Sequence, residues 1–417
     1  MVPARCSSSP PLRLAAAALS LAALAAPRAQ TVRVEAGPDP YTNGEPEALA
    51  KAGYVSFGPF PFGTGHTTAQ VEELLGTEPL IWIETAHFRI GCALPALELK
   101  GREEWSRDWI AKTRDEIAEL RKVLPGIQKK PKVLDPWLRA HLIAWRLEQL
   151  YAGVLENLGR TDDWFPRTAD DPTAAAAYRG LGPYLGMKEK FAVLLLQQGA
   201  SHARYTRAYH GAEIDQPIRY HDIEFGSMYW GCSEETANGL FRNDMALHAH
   251  LNFNVAHNLY TCYRGFGHHL PAWLATGLGH WHSRRVSPRF PTFDRRYDED
   301  RKMRSAFWEW DKRVHGLTKH DVFEPLDAFL DRANAGDFGL EQHIQSWALV
   351  DFLIETRRAE TFAFVHALKE PFHARRRVPT EQELRVRQRD ALRDQLSFDA
   401  AALEAAWREH VLDRKGR

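Results

Sequence analysis

Apolar and polar positions follow two periods along this chain. Residues Ile81 to Gly91 alternate well enough to predict a strand. Phe191 to Leu196 is an unbroken apolar run, as expected of a strand buried on both faces. Phe225 to Gly231 predicts another strand, placed at a sheet edge. Elsewhere the spacing is helical. Glu103 to Val123 carries Trp105, Trp109, Ile110, Ile117 and Leu120 and stops at Pro125-Gly126. Leu134 to Leu158 opens with Pro136 in its first turn and closes at Gly159. Thr68 to Leu75 predicts a short helix capped by Thr67 or Thr68, and Ala200 to Tyr209 another. Asp244 to Tyr263 and Pro271 to Ser283 predict a helix pair. Arg301–Val314, Gly339–Thr356, Thr361–Leu368, Thr380–Leu392 and Ala400–Leu412 follow. Strands come first and helices dominate afterwards. The expected class is α+β, a small N-terminal sheet-containing region followed by a mostly helical domain.

The N-terminus changes this picture. Arg5 and Arg13 flank the start of an apolar run, Leu14 to Ala26, too short to span a bilayer. Residues 1–29 read as a secretory signal with small residues at Ala23-Leu24-Ala25 and again at Ala29, so the chain is expected to be exported, to a periplasm or outside the cell. Cys6 precedes the apolar run and is not placed like a lipoprotein cysteine. Cleavage would remove Arg5, Arg13 and Arg28 and no acid, leaving 51 basic against 54 acidic residues. That balance argues against a nucleic-acid partner, and no later run reaches transmembrane length. Residues 30–80 are rich in Pro and Gly. The aromatic stretch Tyr54 to Gly63 within them reads as an ordered arm, with Phe57 to Phe62 as a candidate docking segment. Cys92, Cys232 and Cys262 are too few for a disulfide framework. Cys232 and Cys262 are the candidate pair, with buried free thiols as the alternative.

The chemistry-bearing residues gather on the helix pair. His248, His250, His257, His268, His269, His280 and His282 lie within one short span. His257 shares a helix face with His250, Phe253 and Asn254, whereas His248 and His250 point apart. His257 and His280 with His250 or His269 form a candidate metal cluster; satisfied polar groups at a helix contact are the alternative. Trp273 and Trp281 read as core. Arg284-Arg285 and Arg375-Arg376-Arg377 read as solvated surface. Asp222, Glu224, Glu234 and Glu235 are candidates to lend a carboxylate to a site. No nucleophile elbow, P-loop or dinucleotide fingerprint is present.

Phe253-Asn254-Val255-Ala256-His257, followed by Leu270-Pro271-Ala272-Trp273-Leu274-Ala275-Thr276-Gly277-Leu278, resembles the gluzincin (peptidase MA-like) zinc peptidases. In that family H-E-x-x-H on one helix supplies two ligands and the general base, and a Glu on the next helix supplies the third ligand. His257 matches the second ligand. Phe253, Asn254 and Thr276 stand at the first ligand, the base and the third ligand, and His280 at a place that often holds an acidic residue orienting a ligand. Phe253 cannot ligate, Thr276 is a poor ligand, and Asn254 cannot take a proton from water. The resemblance implies a core over residues 186–330, an N-terminal α+β region over 81–185 and a helical C-terminal subdomain over 331–417. It implies a pseudopeptidase that binds a protein or peptide in the cleft and holds no confident cofactor. The alternatives are a zinc hydrolase built on His257, His280 and another His, and a structural envelope or secretion component.

Overall fold

The computed structural model describes residues 36–101, 104–168, 178–266, 270–293, 308–371 and 379–414. The expected signal at residues 1–29, His268, His269 and Arg375 to Arg377 fall outside them. Six strands form one mixed sheet: β1 (Tyr54–Ser56), β2 (Ile81–Thr85), β3 (Phe88–Cys92), β4 (Phe191–Leu196), β5 (Ile218–Asp222) and β6 (Ser227–Ser233). Their order is β1-β2-β3-β4-β6-β5. β3, β4 and β6 run parallel; β1 with β2, β2 with β3, and β6 with β5 pair antiparallel. The longer helices are α1 (Thr68–Leu75), α2 (Glu104–Leu120), α3 (Pro136–Leu158), α4 (Gly199–Tyr209), α5 (Asp244–Cys262), α6 (Ala272–Val286), α7 (Trp310–Lys319), α8 (Leu340–Leu368), α9 (Glu381–Leu396) and α10 (Ala400–Asp413). The class is α+β as expected, with a mostly helical C-terminal region.

The apolar run of β4 is buried on both faces because two cores flank it. Val193 and Leu195 face the larger core with α3 and α5, and Ala192, Leu194 and Leu196 face a smaller one with Val71, Leu75 and Tyr205. Alternation along a pleated strand divides the same residues between the two sides.

Three strand expectations need correction. The segment 81–91 is a hairpin, not one strand: Ala86 and His87 turn the chain and Ile83 pairs with Ile90. β6 is interior, between β4 and β5. The edge strand is β5, whose residues Ile218 to Asp222 are all only half-buried. Its Ile218 and Tyr220 pack against the smaller core, but so short and half-buried an alternation is a weak signal in the sequence.

The aromatic arm is part of the body. Phe60 and Phe62 are buried, and Phe62 packs edge-on to Trp82 with ring centroids 5.0 Å apart. The arm therefore does not offer these rings for docking. The candidate Cys232–Cys262 bridge is not formed, and the alternative of buried free thiols holds for both and for Cys92. The reason is helix length. β6 leads into α5 at Asp244, and the helix carries Cys262 roughly 28 Å onward. Cys262 ends beside Lys369, just past α8, whereas Cys232 and Cys92 flank Leu195 in the sheet. Burial pushes the thiols up, to about 11 for Cys92 and about 12 for Cys262.

Among the described residues no helix is long and apolar enough to cross a membrane.

Candidate functional site

α5 begins at an Asn243 cap, whose side chain accepts from the N–H groups of Met245 and Ala246 at 3.0 and 3.3 Å. α6 starts after Pro271, and it packs closely because it carries two glycines. A Cβ on Gly277 would sit 2.4 Å from the Ser346 carbonyl oxygen of α8, and one on Gly279 3.0 Å from the Phe253 carbonyl oxygen of α5. Both approaches are therefore reserved for residues without a side chain. Trp273 is buried as expected, its Nε1 donating to Gln388 at 2.9 Å, and Trp281 is buried too.

A cavity of about 740 Å³ opens between β5, α5 and the start of α6. Arg219, His250, Asn254, His257 and Thr261 lie on its polar walls, and Leu270, Ala272, Ala275 and Phe293 on its apolar ones. Leu270, Ala272 and Ala333 also border an adjoining cavity of about 270 Å³, walled by Leu330, Leu368 and Pro379.

The motif positions have different fates. His257 is half-buried in the cavity wall, its Nδ1 3.4 Å from the Thr261 hydroxyl. Phe253 is fully buried and lays its ring against His280, centroids 4.6 Å apart. Asn254 donates through Nδ2 to the His250 carbonyl at 3.0 Å and accepts through Oδ1 from Arg219 Nη1 at 2.9 Å. The Arg219 guanidinium also lies over the Phe253 ring, 5.9 Å from its centroid. Thr276 is fully buried beneath the cleft, its hydroxyl without a hydrogen-bond partner among the described residues.

His257, His280 and His250 are not brought together as a metal site. His280 is fully buried, and its Nε2 lies 3.0 Å from His343 Nδ1, with Trp310 packed edge-on. His250 lines the cavity between Phe241 and Trp230. Among the described residues no group of three or more His, Cys, Asp and Glu is placed to hold a metal. His248 faces the other way, 3.9 Å from Glu116, as the i, i+2 spacing predicts.

The four candidate carboxylates serve other contacts or stand apart. Asp222 accepts from the backbone N–H of Thr64 at 2.8 Å; burial raises its pKa, but the Thr64 hydrogen bonds outweigh that and hold it low. Glu234 pairs with buried Arg139 at 2.8 Å, and Glu235 accepts from Gly199 N at 2.9 Å. Glu224 is exposed and does not border the cavity. Glu213 and Asp215 do border it.

The surface expectation is corrected for Arg284, whereas Arg285 is exposed as expected. Arg284 is 8% exposed, sandwiched by Trp347 and Trp310 and paired with Asp311 at 2.9 Å. Arg285 lies 3.5 Å from the Trp281 ring centroid. Both are cation–π contacts, and that of Arg284 buries the charged residue's stem and face together.

The residue that sequence reasoning missed is Arg219. Its signal would have been the Ile218-Arg219-Tyr220-His221-Asp222 alternation, which places it on an edge strand just ahead of the motif helix.

Compared with protein-family models, with characterised proteins and with solved structures, the chain matches none.

Proposed function

We propose that the chain is an exported, gluzincin-like pseudopeptidase that binds a peptide or protein segment in the cleft between β5, α5 and α6. One observation carries the reading. Phe253 and Asn254, at the expected first-ligand and base positions, both contact the Arg219 guanidinium from the edge strand. An amide oxygen that accepts a hydrogen bond from a guanidinium is a positioning group, with no basicity to lend to water. The cavity beside it remains large enough for several residues of a peptide. An edge strand along its rim suits an extended segment, which can add to the sheet through main-chain hydrogen bonds.

The test is retention against cleavage. Peptides of mixed sequence are incubated with the protein, with and without added zinc, and followed by mass spectrometry. Intact peptides should be retained, and Ala272→Trp, which fills the cavity wall, should release them. Cleavage, or retention indifferent to Ala272→Trp, overturns the proposal. Zinc content after dialysis tests the rival hydrolase: one equivalent that vanishes in His257→Ala would favour it.

A further inference from the structure

We infer that His66, His202 and His210 form an acid-operated latch behind the cleft, which holds the loop between α4 and β5 closed while all three imidazoles are neutral. Its consequence for a ligand rests on the peptide-binding reading above. Residues 213–219, from that loop and the start of β5, line the cleft. The loop is tied to α4 from behind. The Thr206 hydroxyl accepts from Ile214 N at 2.9 Å, and the His202 imidazole approaches the Ile214 and Asp215 backbone. His202 is fully buried, its Nε2 3.2 Å from the Tyr229 hydroxyl of β6. His66 is buried on the short hairpin of Pro61–Gly63 and His66–Thr67. Its Nε2 lies 3.3 Å from the Tyr205 hydroxyl, and its ring stacks on Tyr209. His210, where α4 ends, stacks on Tyr220 of β5 with centroids 4.0 Å apart and meets Tyr229 edge-on at 4.6 Å. Four tyrosines from α4, β5 and β6 thus surround the three imidazoles.

Such a cluster accommodates neutral rings and not charged ones. Burial pushes His202 and His210 down to about 4, and for His210 the neighbouring His202 and His66 act in the same direction. Burial lowers His66 as well, against the Thr64 carbonyl and Asp222. The charged groups facing the cluster are Asp222 of β5, Asp215 of the loop and Glu73 of α1, the last beside Tyr209. Asp222 is engaged by Thr64, and Asp215 and Glu73 are exposed to water, so none is bonded to an imidazole ring. Opening the loop would return the rings to an ordinary value near 6.5. The open form then binds more protons than the closed one below about pH 6.5. Closure is therefore undisturbed above that pH and is lost progressively as pH falls toward 4. A single imidazole held at about 4 when closed makes opening more than tenfold easier at pH 5.

The test follows amide hydrogen exchange at pH 7 and pH 5, each rate expressed as a protection factor so that the intrinsic pH dependence drops out. In the wild type, protection over residues 211–218 should fall at least tenfold from pH 7 to pH 5, while that of α5 stays unchanged. His210→Phe, which keeps a ring on Tyr220, should lessen the fall. His202→Gln combined with His210→Phe should nearly remove it, with protection at pH 7 as in the wild type. Near-UV circular dichroism at pH 7 confirms that each variant is folded, and His210→Phe alone decides if the double variant is not. Equal protection at both pH values in the wild type, or a fall undiminished in His210→Phe, overturns the latch. Mixed peptides retained at pH 7 should be released at pH 5 by the wild type and kept by the double variant. Retention at pH 5 with the loop open overturns the control of the cleft by the latch. No retention at either pH, with the loop still opening in acid, overturns the peptide reading and leaves the latch standing.

Discussion

Two arginines approach α5 from opposite sides and lead different lives. Arg146, on α3, is 4% exposed and is held by carboxylates. Its Nη2 lies 2.9 Å from Asp244 Oδ2 and 2.7 Å from Glu116 Oε2, and Trp109 donates to the same Asp244 oxygen at 3.1 Å. Arg219, on β5, is half-buried, and the α5 groups that meet it are an amide and a phenyl ring. Asp244 and His248 lie on one face of the helix, and His250, Asn254 and His257 on the other. On the first face a guanidinium's charge is matched and fastens α2, α3 and α5 together. On the second the helix offers the guanidinium an amide oxygen and the face of a ring. The chemistry of the residue is the same in both places, and the partners decide whether it is scaffold or site.

The most direct way to break this comparison is to remove each arginine. Arg146→Met should leave Asp244 and Glu116 charged and uncompensated, costing about 3–5 kcal/mol of stability in urea unfolding. Arg219→Gln should cost less, about 1 kcal/mol, because the site is half-buried and what the side chain holds there is screened by water. Similar costs at the two positions would show that Arg219 is scaffold as well.

The next largest effect is expected at Gly277, again on the scaffold side. Its α-hydrogens face the Ser346 backbone of α8, which cannot yield as a side chain would. Gly277→Ala should cost about 1–3 kcal/mol through overpacking. Gly279→Ala meets Phe253 at 3.0 Å and should cost less, but it presses on the ring beneath Arg219. It should therefore weaken peptide binding more than its stability cost suggests, which urea unfolding and titration together would reveal.

A second carboxylate-matched cation sharpens the contrast through pH. His87 lies 2.7 Å from Glu148 and 3.2 Å from Asp162 and stacks on Tyr151. Burial pushes its pKa down, but the two carboxylates overcome this and raise it to about 9. A folded pKa above the unfolded value near 6.5 means stability fully present below about pH 6.5 and lost as pH rises through 9. The loss should be about 1–2 kcal/mol once the half-exposed Asp162 is discounted for screening. Lys369 acts the other way, because burial pushes it down to about 7 and the unfolded chain holds that proton more tightly. The measurement is thus the stability difference between wild type and His87→Gln, in which the Lys369 contribution cancels. A difference that does not shrink from pH 6.5 to 9 would show that His87 is not a charged tie.

How far the sequence could be read follows the same division. The scaffold side was legible: the apolar spacing of Pro136 to Leu158 and of Asp244 to Cys262, the continuous run at Phe191 to Leu196, and the Pro136 and Gly159 stops fall where the helices and β4 lie. The break at Arg357 within α8, where the backbone leaves helical values, also sits between the two helices expected there. The cleft side was half legible. His250, Asn254 and His257 share a wall as the helix period dictates, but β5 is five half-buried residues with only Ile218 and Tyr220 on the smaller core, a pattern too short to have drawn attention to Arg219. Spacing along one helix also could not show that His280 turns away to His343, a partner 63 residues on. Nor could it give the reach of α5 that separates Cys262 from Cys232.

The smallest expected effect belongs to Asn243, and it serves as the control for the rest. Its side chain caps α5 at the end nearest Asp244, before either face begins. Asn243→Ala should cost about 1 kcal/mol, and Asn243→Ser should recover most of it. The cap holds the whole helix, so its loss should lower stability without favouring either arginine. Peptide retention and the difference made by His87→Gln should both stay as in the wild type. Urea unfolding with the peptide-retention assay checks this directly. Lost retention in Asn243→Ala would mean that Asn254 is placed by the start of the helix and not by its bond to His250. The cleft at Arg219 would then depend on the same scaffold as Arg146, and the two faces of α5 would have to be treated as one structure.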